Sequence, residues 1–383
     1  MTHSMTPDLR RRGVVRALAL GAAGCCGFAR AQLAQPIRLG QSAPLSGPLS
    51  DLGTAIHQGA QACFASANAR GGVSGRPIEL ITLDDGYDVK RAVANVQGFI
   101  ADPALFCLYG CVGTPMIEAT LPLIRSSGVP CFAPLTGAMS ARPADLRNVF
   151  NVRASYPDEA ARLVRHMATV AHKRIAVVYL NNSFGTELAP QVEAAVREHR
   201  LTLATTATVE PNGVGAKEAA KRIAAAAPDV VLVGLSGKAT IDFVRAMRAE
   251  RRGLQLYALS VLGSAAMLGA LEEDAHGIVV SQVVPLPSRL IVPVVRDFQQ
   301  AWTASATRLQ PSHIALESYI NARVLIEALK RCGSNLTRAK FVESTWGMRL
   351  DLGGFEVSFD KPGRNASRFI DLTLVGSGGR FIH

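Results

Sequence analysis

The chain has 383 residues, 48% of them apolar and only 19% charged, which suffices for two ordinary cores and excludes a disordered chain. Its 34 glycines and 20 prolines exclude collagen-like or low-complexity architecture. The formal charge of +11 falls to about +7 once residues 1–31 are set aside, leaving 36 basic against 29 acidic residues. That excess is scattered in pairs such as Arg251-Arg252, and aromatics are 6%. A nucleic-acid surface would cluster its cations and interleave aromatics, so nucleic acid is not an expected partner.

The first element is an address. Arg10-Arg11-Arg12 precede an apolar run over 14–29 that ends in Ala29-Arg30-Ala31, the charged, apolar and A-x-A regions of a secretory signal peptide. The run is shorter than the roughly 20 residues a bilayer needs. Arg11-Arg12 also resembles the twin-arginine export pattern. Lipidation at Cys25 would prefer a leucine where Ala22 stands, so the expected processing is cleavage after Ala31, giving a periplasmic protein.

Beyond residue 36 the text alternates strand and helix. Strands are predicted over 37–42, 78–84 and 105–112, with helices over 54–70, 88–101 and 114–126 and short strands over 130–134 and 149–152. The pattern restarts with helix 157–171, strand 174–180, helix 185–199, strand 205–209, helix 216–226, strand 230–234, helix 239–252, strand 256–260 and helix 265–271. Runs such as IAVVYL and VVLVGL are apolar throughout, the mark of parallel strands buried on both faces. The fold class is α/β, two doubly wound parallel-sheet lobes in succession. After strand 277–284 come helices over 293–306, 312–331 and 337–344, then strands over 355–359 and 369–375. Three crossings between lobes follow, near Arg153, near Val284 and within 350–366. The first lobe is expected to hold 36–153 plus 284–352, the second 154–283 plus 353–383. Ligands in open α/β sheets sit beyond the carboxyl ends of the strands, so two facing lobes make a cleft that closes by hinge motion.

Five cysteines remain past the leader: Cys63, Cys107, Cys111, Cys131 and Cys332. Cys107 and Cys111, four apart on one predicted strand, would lie roughly 13 Å from each other, too far to bridge. Cys107 and Cys131 fall on consecutive strands where pairing is conceivable; buried free thiols are the expectation.

No constellation for catalysis is visible. The eight histidines form no H-E-x-x-H, no cysteine pair has zinc spacing, and the elbow G-x-S-x-G is missing. Gly234-Leu235-Ser236-Gly237-Lys238 superficially looks like a phosphate loop, but Ala239 stands where a metal-binding hydroxyl is required. Asp84-Asp85 read as a turn and cap running into Asp88 rather than as paired acids. No enzyme, cofactor or metal is expected.

Ala43-Pro44-Leu45-Ser46-Gly47-Pro48 with Gly53, Asn68-Ala69-Arg70-Gly71-Gly72-Val73, Leu83-Asp84-Asp85, Gly128-Val129-Pro130 and Leu352-Gly353-Gly354-Phe355 stand in an order that resembles the leucine/isoleucine/valine-binding family of periplasmic binding proteins. The resemblance covers 36–383 and implies a type I binding-protein fold, a small-molecule ligand (an amino acid or other organic carboxylate), and the membrane permease subunits of an ABC importer as partners of a monomer. A ligand-sensing receptor of the same fold is the alternative. In that family the helix after the third strand begins at the ligand carboxylate, which maps to Gly113 and Thr114; independently, Thr114 lies at a predicted helix N-terminus, favourable to an anion or serving as an ordinary cap. The resemblance also carries Leu135 and Thr136 in the next loop, Leu52 bordering the ligand, and Phe184 across the cleft. Ser236 and Val261 match positions that hold a tyrosine and an acidic residue in branched-chain amino-acid binders, while Tyr87 and Gly113 replace the family's first-lobe disulfide. The expected ligand is therefore a carboxylate without an α-amino group.

Overall fold

From residue 36 on the chain builds two large sheets from alternating strands and helices, and a computed structural model describes residues 1–2, 35–262, 264–333 and 335–382. The predicted leader and its cleavage after Ala31 lie outside the described residues. The first sheet comprises β1 (Ile37–Ala43), β2 (Ile78–Asp84), β3 (Leu105–Tyr109), β4 (Cys131–Phe132) and β5 (Val149–Phe150), in the order β2-β1-β3-β4-β5 with every pair parallel. Between them run α1 (Ser50–Ala69), α2 (Val89–Ala101) and α3 (Thr114–Ser127). Asp88 caps α2 by accepting from Arg91 N at 2.9 Å, as the turn reading of this acidic stretch implies.

The second lobe opens with α4 (Tyr156–Thr169), whose start is fixed by a capping box between Ser155 and Asp158. It continues through β6 (Arg174–Leu180), α5 (Ser183–Glu198), β7 (Thr202–Val209), α6 (Ala216–Ala225), β8 (Val230–Gly234), α7 (Gly237–Glu250), β9 (Gln255–Ala258), α8 (Ala265–Leu271) and β10 (Val279–Gln282). Strands β7, β6, β8, β9 and β10 pair in parallel. All five residues of β8 are buried, as a strand covered by helices on both faces requires.

Then α9 (Pro293–Ala304), α10 (His313–Arg331) and α11 (Arg338–Thr345) return to the first lobe, where Phe298, Leu325 and Phe341 join the core of Phe64, Tyr109 and Phe132. A hairpin of β11 (Arg349–Asp351) and β12 (Glu356–Ser358) follows. The last strands, β13 (Asp371–Val375) and β14 (Phe381–Ile382), add antiparallel edges to the second sheet. Among the described residues no helix is long and apolar enough to cross a membrane.

Two sequence expectations change. Strand 105–112 stops at Tyr109 because Gly110 takes φ +56 and interrupts the ladder, which Val112 rejoins only as a single bridge to Leu135; Cys111 is thus not on the strand, and all five described cysteines are buried and free. The return to the second lobe also comes later than the sequence suggests. Phe355, Val357, Phe359 and Ala366 lie in the first core, because their alternating apolar residues face the aromatic cluster around Phe132 and Phe150. The third crossing then runs beside the first, with Ala366 N and Ser367 N donating to the carbonyls of Asn151 and Val152 at 2.8 Å.

Candidate ligand-binding site

One cavity between the lobes is lined from both sheets by residues that follow strand carboxyl ends. Leu52 comes after β1, Gly113 and Thr114 after β3, and Leu135 after β4; opposite them stand Phe184 after β6, Ser236 after β8 and Val261 after β9. Seven of the eight residues singled out in the sequence therefore meet at one place. The eighth, Thr136, lies just behind: its hydroxyl is 2.7 Å from that of Thr114 and accepts from Ala138 N at 3.1 Å.

The cavity measures about 20 Å³, room for roughly one water. The lobes are closed on it. Asn182 Nδ2 donates to the Tyr87 hydroxyl at 3.3 Å, Ser264 Oγ bonds Asp51, and Gly237 lies so near Pro48 that a Cβ on it would stand 2.2 Å from the Pro48 carbonyl oxygen. An organic solute can enter only if the lobes part.

Local sequence sets this geometry. Gly113, at φ 98°, is the N-cap of α3 and Thr114 its first residue, so the Thr114 hydroxyl does not cap the helix and instead meets that of Thr136. A side chain at Gly113 would meet Tyr87 Cε2 and Met116 Sδ, each at 3.0 Å. The tyrosine ring thus fills the space beside the glycine. Tyr87 itself has φ +63, a left-handed conformation that costs a bulky residue on the order of 1–3 kcal/mol. It is held there by its N–H donating to Asp85 Oδ1 at 2.9 Å, while Asp85 accepts from Ser42 Oγ at 2.7 Å.

Across the cleft Tyr156 packs against Phe184, ring centres 4.9 Å apart and planes tilted by 58°, with the Arg153 guanidinium 5.6 Å from the tyrosine's ring centre. Burial pushes the phenols of Tyr87 and Tyr156 up, so both are protonated donors at neutral pH. Tyr87, Tyr156, Leu49 and Val112 complete the lining and were not among the ligand-contacting residues expected from the sequence. The signal for Tyr87 was its place opposite Gly113; for Tyr156 it was an aromatic opening a helix directly after the crossing at Arg153.

The electrostatics favour an anion. Helices α3, α4, α5 and α7 all begin at the cavity, at Thr114, Tyr156, Phe184 and Ser236, bringing four positive dipole ends together. No lining residue is acidic. The carboxylates nearby are engaged elsewhere: Asp85 as above, and Glu159 with Arg153 at 3.1 Å, Ser260 N at 2.9 Å and Ser281 Oγ at 2.6 Å. Behind the cavity Arg153, 3% exposed, also faces Glu317 of α10 at 3.5 Å, so one buried guanidinium at the first crossing joins a carboxylate from each lobe.

The family described as periplasmic binding protein matches residues 36–380. The Leu/Ile/Val-binding protein homolog 7 of Brucella abortus (strain 2308) is 24% identical over 352 residues, 86% of each chain. A substrate-binding periplasmic protein from Ralstonia solanacearum is 30% identical with a TM-score of 0.84, covering 90% of this chain and 99% of that one. The solute-binding protein of an ABC transporter from R. palustris, solved with benzoate, superposes with a TM-score of 0.79 at 20% identity, over 91% and 95% of the two chains.

Proposed function

The chain belongs to the periplasmic binding protein family, whose members bind solutes rather than transform them, and from that premise we propose that it is the exported, monomeric solute-binding subunit of an ABC importer for a small organic carboxylate lacking an α-amino group. After cleavage behind Ala31 it would work in the periplasm, closing on its solute and handing it to the membrane permease subunits. Thr114 and the start of α3 would hold the carboxylate, and Leu52, Leu135, Phe184 and Val261 would enclose the remainder.

The observation that carries this reading is the convergence of four helix N-termini on a cavity without an acidic side chain. An α-amino acid would bring an ammonium group into that space, and an unpaired buried charge costs about 3–5 kcal/mol. From the stretch after β9 it is Val261, in the turn Ser260–Leu262, that lines the cavity, so no carboxylate from there meets an ammonium. A fold that takes benzoate in the R. palustris protein is compatible with an aromatic or keto acid here.

A thermal-shift and calorimetric panel tests it, setting leucine, isoleucine and valine against 4-methyl-2-oxopentanoate, benzoate and phenylacetate. The acids should raise the melting temperature and bind more tightly. Micromolar binding of the amino acids without binding of the acids overturns the ligand class.

A further inference from the structure

We infer that Tyr87 is a ligand-contacting, specificity-determining residue: its phenol bridges the closed cleft to Asn182 and offers its own proton to the carboxylate seated at Thr114. The inference rests on the solute-binding reading above and goes beyond the residues it uses.

The argument begins with hydrogen-bond accounting. A phenol has one proton to give and lone pairs to receive. Asn182 is the N-cap of α5, and its Oδ1 accepts from Gly185 N at 3.4 Å, which fixes the amide orientation and turns the NH₂ group to the Tyr87 oxygen at 3.3 Å. The bridge therefore uses the phenol as an acceptor. Among the described residues no acceptor takes its proton, and Tyr87 lines the same small cavity as Thr114. Both residues thus border the space assigned to the carboxylate.

The backbone points the same way. The strained φ at Tyr87 is over-determined by Asp85 and by Asp84, whose Oδ1 accepts from Gly86 N at 2.9 Å, and such strain is retained where the surroundings demand a particular direction of a side chain. Gly113 leaves the ring its space. Because Tyr87 belongs to the first lobe and Asn182 to the second, the bridge exists only when the lobes meet, so the residue that touches the solute also senses closure.

Calorimetry of wild type, Tyr87→Phe and Asn182→Ser with benzoate, phenylacetate, 4-methyl-2-oxopentanoate and leucine tests it. Tyr87→Phe keeps the ring and removes the proton; Asn182→Ser keeps an N-cap acceptor and removes the amide donor. For whichever probe binds wild type best, Tyr87→Phe should weaken binding roughly ten- to a hundredfold, and Asn182→Ser roughly two- to tenfold. If leucine alone binds, the ligand class proposed above fails, yet Tyr87 is still tested on leucine's carboxylate. Affinity within twofold of wild type in Tyr87→Phe overturns the inference. Should no probe bind, native mass spectrometry of the carboxylate carried through purification decides: depleted occupancy in both variants supports the inference, and wild-type occupancy in Tyr87→Phe overturns it. If Tyr87→Phe does not fold, Asn182→Ser carries the test by the same readouts.

Discussion

Thr114 Oγ1 and Thr136 Oγ1 stand 2.7 Å apart beneath the cleft, and Thr136 also accepts from Ala138 N. Two hydroxyls carry two protons, and their mutual bond uses one. With Thr136 as the donor, the Thr114 proton is available to a ligand at the start of α3. The pair also joins the third and fourth strand ends, so a change at either site is felt in folding as well as in binding.

Replacing Thr114 by Ala should weaken carboxylate binding roughly ten- to a hundredfold and lower stability by about 1 kcal/mol, the value of one buried hydroxyl bond. Capping is not lost, since Gly113 is the N-cap. Thr114→Ser should restore most of the affinity. Calorimetric titration beside a urea melt separates the two effects; reduced stability with unchanged affinity would leave the pair a purely structural role.

Arg153 is the only partner in ion-pair distance that Glu159 and Glu317 have among the described residues. Arg153→Met should therefore cost about 3–5 kcal/mol by stranding buried carboxylates, and adding Glu159→Gln and Glu317→Gln should recover much of it. The loss should depend on pH. Burial raises the Glu317 carboxyl and Arg153 draws it back, so without the arginine the folded-state value rises further. A raised value means the folded state binds more protons, and stability falls as pH rises through it. Denaturant melts of the variant at pH 5 and pH 8 should show the larger deficit at pH 8.

His313 opens α10 with both ring nitrogens buried and without a hydrogen-bond partner among the described residues, edge-on to Phe381 at 4.7 Å. Burial pushes its imidazole down to about 3 from 6.5. Between those values the unfolded chain binds the proton and the folded one does not, so this group's share of stability is complete above 6.5 and is lost as pH falls. At about 1.4 kcal/mol per pH unit the loss reaches about 2 kcal/mol at pH 5. His313→Leu should remove this slope and leave stability at pH 7.5 equal or higher, read from urea melts across pH 5–7.5.

What the sequence made legible follows from how each feature is encoded. Strands such as β6 and β8 were plain because burial on both faces needs an unbroken apolar run, and α8 was plain from its bounds. Thr114 was legible as the start of a helix and through the family resemblance, and Phe184 through the resemblance alone. Strand 105–112 was read too long because Val112 continues the apolar run and nothing but the backbone turn at Gly110 ends it. The segment around Phe355 and Phe359 was placed with the wrong lobe because period-two alternation says that a face is buried and not which core buries it. Tyr87 escaped as a cavity residue because its direction depends on a left-handed φ set by Asp85, a tertiary arrangement without a local pattern.

Gly237 gives the sharpest test of closure. The stretch around it, which superficially looks like a phosphate loop, is the turn from β8 into α7, and it presses on the opposite lobe. At Gly237 φ is +55, and a Cβ would stand 2.2 Å from the Pro48 carbonyl oxygen and 3.0 Å from Leu49 Cδ1. Gly237→Ala therefore meets two penalties. The left-handed backbone costs roughly 1–2 kcal/mol in either lobe position. The contact with Pro48 arises only when the lobes close, so it acts on the open–closed equilibrium. Gly128 supplies the control: it is a left-handed C-cap at φ +67 with nothing within 4 Å of an added Cβ. Gly128→Ala should lose stability by a similar amount and bind as wild type does. Gly237→Ala should lose more than tenfold in affinity, and its radius of gyration should stay at the open value at probe concentrations that close the wild type. Equal affinities for the two variants would show that Gly237 and Pro48 do not meet in the ligand-bound form.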